Sequence, residues 1–433
     1  MKESKIIKIL IIFSLILVLL GGFLLWQGGW LKDKIEEISF WKLVPKLAGF
    51  REAKTYLLLF QNNLELRPSG GYLGNFGILK VKNGQVVSLE IHDTNIFDGF
   101  GRIKTEPPQP IKDYLKIDNW QMRDANWSPD FPTSAQQVEY FYKLQGGQEE
   151  FDGIIGINAA LLPDLLRLTG PVYLEKFDKR FESKDVLEQL EYEIEKGYVE
   201  RGIEPGERKT IFKALVKKVL EQLIQKSFWG QKELKDLIFR ELNEKNILLF
   251  FRDEEIQKVI SELNWAGIVN QSYQNDYLMI VEANLAAKKS NAFIKREVEY
   301  LVDLSGTRPR AKLKIKYTHQ GGQRDWFNDD YRAYLRIYLP QGSWLLEAKE
   351  VKNETSFLDE LNKTVFGNWI EIPIGQEKII EFAYLLPERI KEGSEYRILV
   401  QKQSGIDSFP FKLILKNIYQ KEFEIDRDLE ICL

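Results

Sequence analysis

The pattern of apolar and polar positions begins with one long apolar run. Ile9 to Trp26 are eighteen uncharged residues, which as a helix would reach about 27 Å, close to a hydrocarbon core of about 30 Å. Lys2, Lys5 and Lys8 precede this run, and the positive-inside bias therefore predicts a cytoplasmic amino terminus. A cleaved signal peptide is the alternative, although the run is long for one and no Ala-x-Ala-like site follows it.

The next segment mixes charged and apolar positions. Residues 31–51 alternate between them in a pattern typical of a short amphipathic helix, which we expect to be a juxtamembrane spacer. Residues 1–30 would then be a cytoplasmic stub followed by a single-pass anchor in the cell membrane. The bulk of the chain is accordingly expected to be extracytoplasmic, in the cell envelope.

Residues 52–290 combine strand-like and helix-like patterns. The predicted strands lie at 55–60, 72–81, 86–92 and 151–157, and the predicted helices lie at 134–144, at 159–168 and throughout 182–263. Asn83-Gly84 indicates a hairpin turn, and Ser134 is a candidate N-cap. This order predicts an α/β domain that has a mixed sheet and a helical insertion.

The pattern changes again at residues 291–433, where short β-branched and aromatic segments alternate with turns. The predicted strands lie at 296–302, 311–318, 331–339, 369–374, 378–384, 396–402 and 410–415. About seven short strands predict a carboxyl-terminal all-β sandwich. Asn328-Asp329-Asp330 falls in one of its loops and is either a turn or a set of cation ligands.

Composition limits the chemistry. The 433 residues include 61 basic and 64 acidic side chains, a formal net charge of -3 without a basic block, so nucleic acid is not an expected partner. Cys432 is the single cysteine, which excludes an internal disulfide and a cysteine-ligated metal. His92 and His319 are the two histidines, which argues against a histidine zinc site or a catalytic triad. Carboxylates remain as candidate metal ligands.

A polar and glycine-rich cluster follows the first predicted strand of the α/β domain. Its candidate ligand-binding residues are Gln61, Asn63, Arg67, Gly70 and Gly71. Because ligands bind at the carboxyl ends of strands in open α/β sheets, this cluster is a candidate wall of a site. The alternative is a hairpin whose amides and guanidinium satisfy local backbone groups.

A second cluster precedes the predicted helix at 134–144. Arg123, Asp124, Asn126 and Asp130 lie within eight residues of one another, in a segment that also contains Trp120 and Trp127. The two carboxylates, together with Asp93 at the end of the third strand, are the candidate catalytic groups, as general bases or as metal ligands with magnesium as a candidate ion. Arginine at these positions suits phosphate or carboxylate oxygens. The alternative is that the acids cap backbone amides and form internal ion pairs.

Several blocks resemble those of a bacterial membrane-anchored family known as domain-of-unknown-function family 4012. They are Gln61-Asn-Asn-x-Glu65-x-Arg67-Pro-x-Gly-Gly71, Arg123-Asp-Ala-Asn-Trp-Ser-Pro-Asp-Phe131, Phe151-Asp-Gly-Ile-Ile-Gly-Ile157 and Leu168-Thr-Gly-Pro-Val172. The resemblance implies an envelope protein with one amino-terminal anchor, and it implies no particular activity.

The order of elements more distantly resembles the LytR-CpsA-Psr proteins. Those proteins transfer cell-wall glycopolymers from a polyprenyl pyrophosphate carrier to peptidoglycan, with arginines on the pyrophosphate and acids on magnesium. By position, the resemblance assigns Arg67 to the start of that family's Gly-Arg-Ser-Asp block, Asp93 to its Pro-Arg-Asp block, and residues 123–126 to its Lys-Ile-Asn block. The acid that should follow Arg67 is absent here, and His92 replaces an arginine.

Two hypotheses follow for the function. In the first, the chain binds or transfers a glycopolymer linked to lipid pyrophosphate, as an envelope phosphotransferase whose partner is the polyprenyl-linked glycan or a cell-wall polymer. In the second, it is a non-catalytic surface or scaffold module that recognises glycan or protein, and its acids are occupied in helix caps and ion pairs.

Overall fold

The computed structural model describes residues 43–101, 104–226, 231–391 and 395–433. The predicted anchor and most of the predicted spacer lie outside these residues. In the described part of the chain, no helix is long and apolar enough to cross a membrane. The chain forms two compact units, each built from three segments. Unit 1 comprises the described residues up to Gln61, Leu73–Ile103 and Ala135–Gly267, and unit 2 comprises Asn62–Tyr72, Lys104–Ser134 and Ile268–Leu433.

The elements alternate between strand and helix in the first 290 residues and are almost entirely strands thereafter. The strands are β1 (Lys54–Arg67), β2 (Gly70–Lys82), β3 (Gln85–Asp93), β4 (Gly153–Asn158), β5 (Val172–Leu174), β6 (Lys179–Phe181), β7 (Ile247–Phe251), β8 (Asp276–Asn284), β9 (Ile294–Asp303), β10 (Arg310–His319), β11 (Tyr331–Pro340), β12 (Trp344–Lys349), β13 (Ser356–Glu360), β14 (Lys363–Ile372), β15 (Glu377–Leu385), β16 (Arg397–Gln401), β17 (Phe409–Leu415), β18 (Tyr419–Ile425) and β19 (Leu429–Cys432). The helices are α1 (Thr94–Phe97), α2 (Gln109–Leu115), α3 (Phe131–Leu144), α4 (Leu161–Thr169), α5 (Val186–Tyr192), α6 (Tyr198–Glu200), α7 (Thr210–Lys226), α8 (Gln231–Asn243) and α9 (Glu254–Glu262). A mixed α/β chain with a β-rich carboxyl-terminal part is thereby confirmed.

Unit 1 contains a five-stranded sheet of order β3-β2-β1-β4-β7. β1 and β4 run parallel from Tyr56 opposite Gly153, and β7 is antiparallel to β4. One hydrophobic core joins this sheet to α4, α5, α7, α8 and α9. β7 lies within the stretch that we predicted to be helical throughout; its five apolar residues form a largely buried strand instead. A short apolar run of this kind suits either structure, and length alone favours the strand.

Turn chemistry in unit 1 follows the residue types. Asn83 and Gly84 both have positive φ, at 49° and 73°, as a two-residue type I′ hairpin requires, and the predicted turn between β2 and β3 is confirmed. Gly170, with φ of 93°, follows the last residue of α4. The absence of a Cβ makes this conformation accessible and ends the helix there.

Unit 2 is a sandwich of two six-stranded sheets. Their orders are β12-β15-β10-β9-β17-β18 and β13-β14-β11-β8-β16-β19. Alternate residues of both sheets share one hydrophobic core, in which the ring of Phe366 lies 6.5 Å from that of Phe382 in the other sheet. β8 belongs to the second sheet and every residue in it is buried, so the sandwich begins before the predicted residue 291. Unit 2 also contains two earlier segments, Asn62–Tyr72 and Lys104–Ser134, whose described residues contribute no strand to the two sheets.

The interior of the sandwich contains two carboxylates. Glu282 accepts hydrogen bonds from Arg296 Nε (2.6 Å) and Nη2 (2.8 Å), and from the hydroxyls of Tyr317 and Tyr331. Burial opposes its ionisation, but Arg296 and the hydroxyl groups outweigh burial and lower the pKa of Glu282. This carboxylate is therefore a paired and hydrogen-bonded charge, which is the form in which proteins tolerate buried ions.

Asp276 lies in the same interior without a cation. Its carboxylate accepts hydrogen bonds from the Tyr396 hydroxyl (2.5 Å), the Tyr300 hydroxyl (3.0 Å) and the Tyr277 amide (2.8 Å). Within the described residues it makes no ion pair. Burial raises the pKa of Asp276 to about 6, against the opposing effect of these hydrogen bonds.

Candidate functional site

The polar cluster after the first predicted strand is itself a strand. β1 continues from Lys54 to Arg67, so the predicted strand end at Phe60 is wrong and the hairpin alternative describes this segment. Gly71 is required by close packing, since a Cβ there would lie 2.2 Å from the Asn62 carbonyl carbon. Gly70 has φ of 143°, which an L residue rarely adopts. The two glycines therefore serve the hairpin.

Arg67 and Asp124 form a buried ion pair in unit 2. Both residues are 4% exposed, and Arg67 Nη2 and Nε lie 3.0 and 3.3 Å from Asp124 Oδ1. Nη1 donates to the Asn284 carbonyl at 2.5 Å, and the guanidinium carbon lies 5.4 Å from the Tyr72 ring centroid. The sequence clusters of β1 and 120–132 thus meet through this pair. The guanidinium is engaged on several sides by protein groups.

Side-chain hydrogen bonds hold the segment from Trp120 to Asp130 in place, and two of them are accepted by backbone carbonyls. The Trp120 indole donates to the Asp124 carbonyl at 2.9 Å, and the Asn126 amide donates to the Gly71 carbonyl at 2.8 Å. Arg123 Nη2 donates to the side-chain oxygen of Gln121. These contacts order a loop that contains only one short 3-10 turn, Met122–Asp124.

Asp130 is the N-cap of α3. Its Oδ2 accepts from the Thr133 amide (3.1 Å) and hydroxyl (2.6 Å), and its Oδ1 accepts from the Val269 amide (3.0 Å). α3 begins at Phe131, so the prediction that Ser134 caps this helix is wrong; the Ser134 hydroxyl instead donates to the Ser128 carbonyl. A carboxylate at this position satisfies amides that the first helical turn leaves unpaired.

Asp93 belongs to unit 1, where it performs two structural tasks. It is the N-cap of α1, since Oδ1 accepts from the Asn95 amide at 2.9 Å. The same oxygen lies 2.8 Å from Lys209 Nζ, which also donates to the Gly74 carbonyl at 2.6 Å. Burial lowers the pKa of Lys209, and the charge of Asp93 opposes that effect. Sequence reasoning missed Lys209, which begins no recognisable motif and lies 116 residues from Asp93.

The two candidate side-chain amides, Gln61 and Asn63, both lie on β1. Gln61 lies opposite Asn158 in the parallel pair β1 and β4, and its side chain is 2% exposed. Asn63, in unit 2, donates to the Gly405 carbonyl at 3.1 Å. Gly405 lies against Gly70, since a Cβ on Gly405 would be 2.5 Å from the Gly70 carbonyl oxygen. The turn region of the hairpin is thereby packed onto the segment that follows β16.

Sequence reasoning also missed Arg336, which organises the tryptophan of the second cluster. This arginine is 1% exposed, its guanidinium carbon lies 4.6 Å from the Trp127 ring centroid, and Nη2 donates to the Trp127 carbonyl at 2.7 Å. Glu360 accepts from Arg336 Nη1 at 3.3 Å and from the Tyr338 hydroxyl at 3.0 Å. Trp127 therefore stacks on a protein cation, and the alternating β11 pattern offered no signal for it.

The loop carrying Asn328, Asp329 and Asp330 is held by cations of the protein. Asp329 lies 3.1 Å from Arg324 and 3.2 Å from Arg332, and Asp330 also pairs with Arg324. Over the described residues, no three His, Cys, Asp or Glu side chains are grouped so that they could hold a metal ion. The arrangement favours the turn over the cation site for this loop.

The geometry of the candidate residues is that of a packed polar interior. Asp93 and Asp130 cap helices, and Asp124 neutralises Arg67. Such groups fix backbone segments and compensate each other's charge, which is the common use of buried polar side chains. The candidate residues therefore stabilise the α/β unit and the β-sandwich unit through internal polar contacts.

Residues 51–194 match the model of a family described as "Protein of unknown function (DUF4012)". This match supports the predicted resemblance to that family over these residues. Among curated proteins, none matches this sequence significantly.

Three solved structures show weak similarity. A Listeria innocua protein is 14% identical, with 50% of this chain and 79% of that protein covered and a TM-score of 0.27. A Streptococcus agalactiae protein is 10% identical, with 55% and 77% covered and a TM-score of 0.29. A Legionella pneumophila protein with a proposed nutrient-binding function is 7% identical, with 32% and 54% covered and a TM-score of 0.22. The chain spans only about half of the Legionella protein, and similarity at this level supports no inference about fold or activity.

Proposed function

We propose that this chain is a non-catalytic binding or scaffold module of the cell envelope, with the apolar run at residues 9–26 as its membrane anchor. One observation carries the proposal: each candidate catalytic acid already accepts hydrogen bonds from the protein. Asp93 binds an amide and Lys209, Asp124 binds Arg67, and Asp130 binds two amides and a hydroxyl. A general base or a magnesium ligand needs lone pairs directed at the substrate or the ion.

The burial of these groups points the same way. Asp124 and Arg67 are each 4% exposed and Asp130 is 5% exposed. A pyrophosphate clamp requires guanidinium N–H groups that face the ligand. Arg67 instead directs Nη1 to the Asn284 carbonyl, and Nε and Nη2 to Asp124. Freeing this arginine for a phosphate would leave Asp124 as a buried and unpaired charge, which is costly.

Phosphate release tests the proposal against the transferase hypothesis. The full chain in detergent, incubated with a polyprenyl pyrophosphate and magnesium, is expected to release no phosphate above the background of the detergent alone. Release that disappears in Asp124→Asn but persists in Asp113→Asn, an exposed acid of α2, would overturn the proposal. Asp113 is a suitable control because its exposed carboxylate accepts a hydrogen bond from the neighbouring Gln109 side chain and, among the described residues, makes no ion pair.

Anchoring is tested separately by fractionation. The full chain is expected to remain with membranes through a carbonate wash, since about eighteen apolar residues suffice to span or nearly span a bilayer. A variant with two of these leucines replaced by arginine, Leu17→Arg and Leu20→Arg, is expected to be released. Equal retention of both proteins would refute the anchor.

A further inference from the structure

Two strands at the margins of the sandwich expose large apolar side chains. β12 is the terminal strand of one sheet and β13 is the terminal strand of the other. On β12, Trp344 is 67% exposed and Leu346 is 52% exposed; on β13, Phe357 is 62% exposed and Leu358 is 44% exposed. Large apolar side chains exposed next to each other on one strand, as Phe357 and Leu358 are, are typical of interaction sites.

The two strands lie at the same margin of the sandwich. Phe357 lies across from Phe366 on β14, with ring centroids 5.6 Å apart. The Phe366 ring lies 5.8 Å from that of Tyr384 on the opposite sheet, and Tyr384 is the register partner of Leu345 on β12. Phe357 and Leu345 therefore lie at the same level of the sandwich.

The two margins differ in their protection against strand addition. β12 has a bulge between Leu345 and Glu347 and a lysine near its end, devices that discourage pairing with another strand. β13 pairs with β14 through five consecutive residues without a bulge, and it contains neither proline nor lysine. In the described part of the chain, no strand pairs with its other edge.

β13 is also held in place before any partner arrives. The Ser356 hydroxyl donates to the Gly367 carbonyl at 3.1 Å and lies 2.7 Å from the Tyr334 hydroxyl. Just before the strand, Asn368 Nδ2 donates to the Thr355 hydroxyl at 3.0 Å. A preorganised strand loses little conformational entropy when a partner binds, which favours association.

The charge around this edge is acidic. Residues 344–360 contain five acidic and two basic side chains. Three of the acids are paired with cations of the protein, namely Glu347 with Lys349, Glu350 with Lys378 and Glu360 with Arg336. Lys349 and Lys352 are paired with Glu347 and Glu371, and in the described residues Asp359 forms no ion pair. Complementary charge selects the partner and raises its association rate. A partner with basic side chains therefore fits this edge.

We propose that the free edge of β13 binds an extended peptide as an added antiparallel strand, with apolar side chains against Phe357 and Leu358 and a basic side chain opposite Asp359. Backbone hydrogen bonds supply affinity and alternate side chains supply specificity in this mode of recognition. The inference rests on the proposed binding role and names the partner class. The proposed function and this inference can fail separately, because phosphate release tests the non-catalytic role and peptide binding tests only the β13 edge.

Fluorescence anisotropy with the full chain in detergent tests the proposal. The probe is fluorescein-labelled Gly-Gly-Ser-Lys-Val-Ile-Thr-Lys, in which Lys, Val and Ile would face Asp359, Leu358 and Phe357. We expect saturable binding below about 1 mM, weakened about tenfold or more by Leu358→Lys. Ile418→Lys is the matched control, since Ile418 is 69% exposed in a turn of the same unit. This variant is expected to bind the probe as tightly as the natural chain does.

Two further probes separate strand addition from adhesion to apolar surface. Proline in place of the isoleucine removes a backbone donor and is expected to abolish binding. Glutamate in place of both lysines is expected to weaken binding to the natural chain and to restore it in Asp359→Lys. Equal binding of the proline probe, equal binding by Leu358→Lys, or no binding up to about 1 mM would overturn the proposal. A dimer detected by sedimentation and lost in Leu358→Lys would also overturn the proposal, because a second copy of this chain would then already occupy β13.

Discussion

The buried Asp276 predicts a specific dependence of stability on pH. Its pKa is about 6 in the folded chain because burial disfavours the charged form, whereas an unfolded aspartate titrates near pH 3.9. Between these two values the folded state holds a proton that the unfolded state has released, so stability falls as pH rises. The contribution is fully present below about pH 4 and is lost above about pH 6.

The magnitude follows from the difference of about two pKa units. At about 1.4 kcal/mol per unit, ionised Asp276 costs on the order of 3 kcal/mol of the free energy of unfolding at pH 7. Asp276→Asn removes the ionisation and retains the shape, and the tyrosine hydroxyls around it can reorient to accept from the new amide. We therefore expect the stability of the variant relative to the natural chain to rise by about 3 kcal/mol from pH 4 to pH 7.

Urea unfolding of the full chain at the two pH values, followed by the near-ultraviolet circular dichroism of its tyrosines, measures this difference. Other carboxylates titrate in both proteins and cancel in the comparison. Asp359→Asn is the matched control for the substitution, because this exposed side chain forms no ion pair in the described chain. A stability difference for Asp276→Asn that is independent of pH would refute the reasoning.

Three other substitutions test the packing described above. Gly71→Ala places a Cβ 2.2 Å from backbone and is expected to lower the melting temperature by several degrees, since overpacking costs about 1–3 kcal/mol; an unchanged melting curve would contradict the close approach. Arg67→Met leaves Asp124 buried and unpaired and should lower the free energy of unfolding in urea by about 3–5 kcal/mol. The double variant with Asp124→Leu should recover most of that loss. Equal instability of the single and double variants would show that the unpaired charge is not the cause. Lys363 is 1% exposed, and burial lowers its pKa to about 8, so its charge destabilises the folded chain below about pH 8 and the cost disappears as pH rises towards 10.5. Lys363→Met should therefore gain stability at pH 7 and lose that advantage near pH 10, and a constant difference across this range would contradict the assignment.

The sequence predicted elements whose pattern is local. The hairpin at Asn83-Gly84, the strand at Gly153–Asn158 and the all-β character of the carboxyl-terminal part depend on turn residues and periodicity that lie close together in the chain. The second half of β1 was harder to predict from the sequence. Its buried polar residues read as a loop, because their partners at Asp124 and Gly405 are distant in sequence.

In the candidate site, too, the sequence indicated the segments involved but not the roles of their residues. Residue types marked 61–71 and 120–132 as unusual, and the structure joins the two segments through Arg67 and Asp124. The roles of the acids depended on the exact start of each helix, which periodicity locates only to within a few residues. Asp130 caps α3 because that helix begins four residues earlier than Ser134 would require as its cap.

The interleaving of the two units has a consequence for how the chain is made. Each unit consists of three segments, and residues 62–72 belong to the unit whose last strand ends at Cys432. During synthesis this early segment leaves the ribosome several hundred residues before Ser404 and Gly405, which contact Ser69 and Asn63 within the same unit, so the second unit cannot complete until that later part of the chain emerges. Non-local pairing of this kind slows folding and prolongs exposure of unpaired strands. A cut after residue 290 would separate β8 from its neighbours β11 and β16, so neither fragment would contain the whole of the second unit.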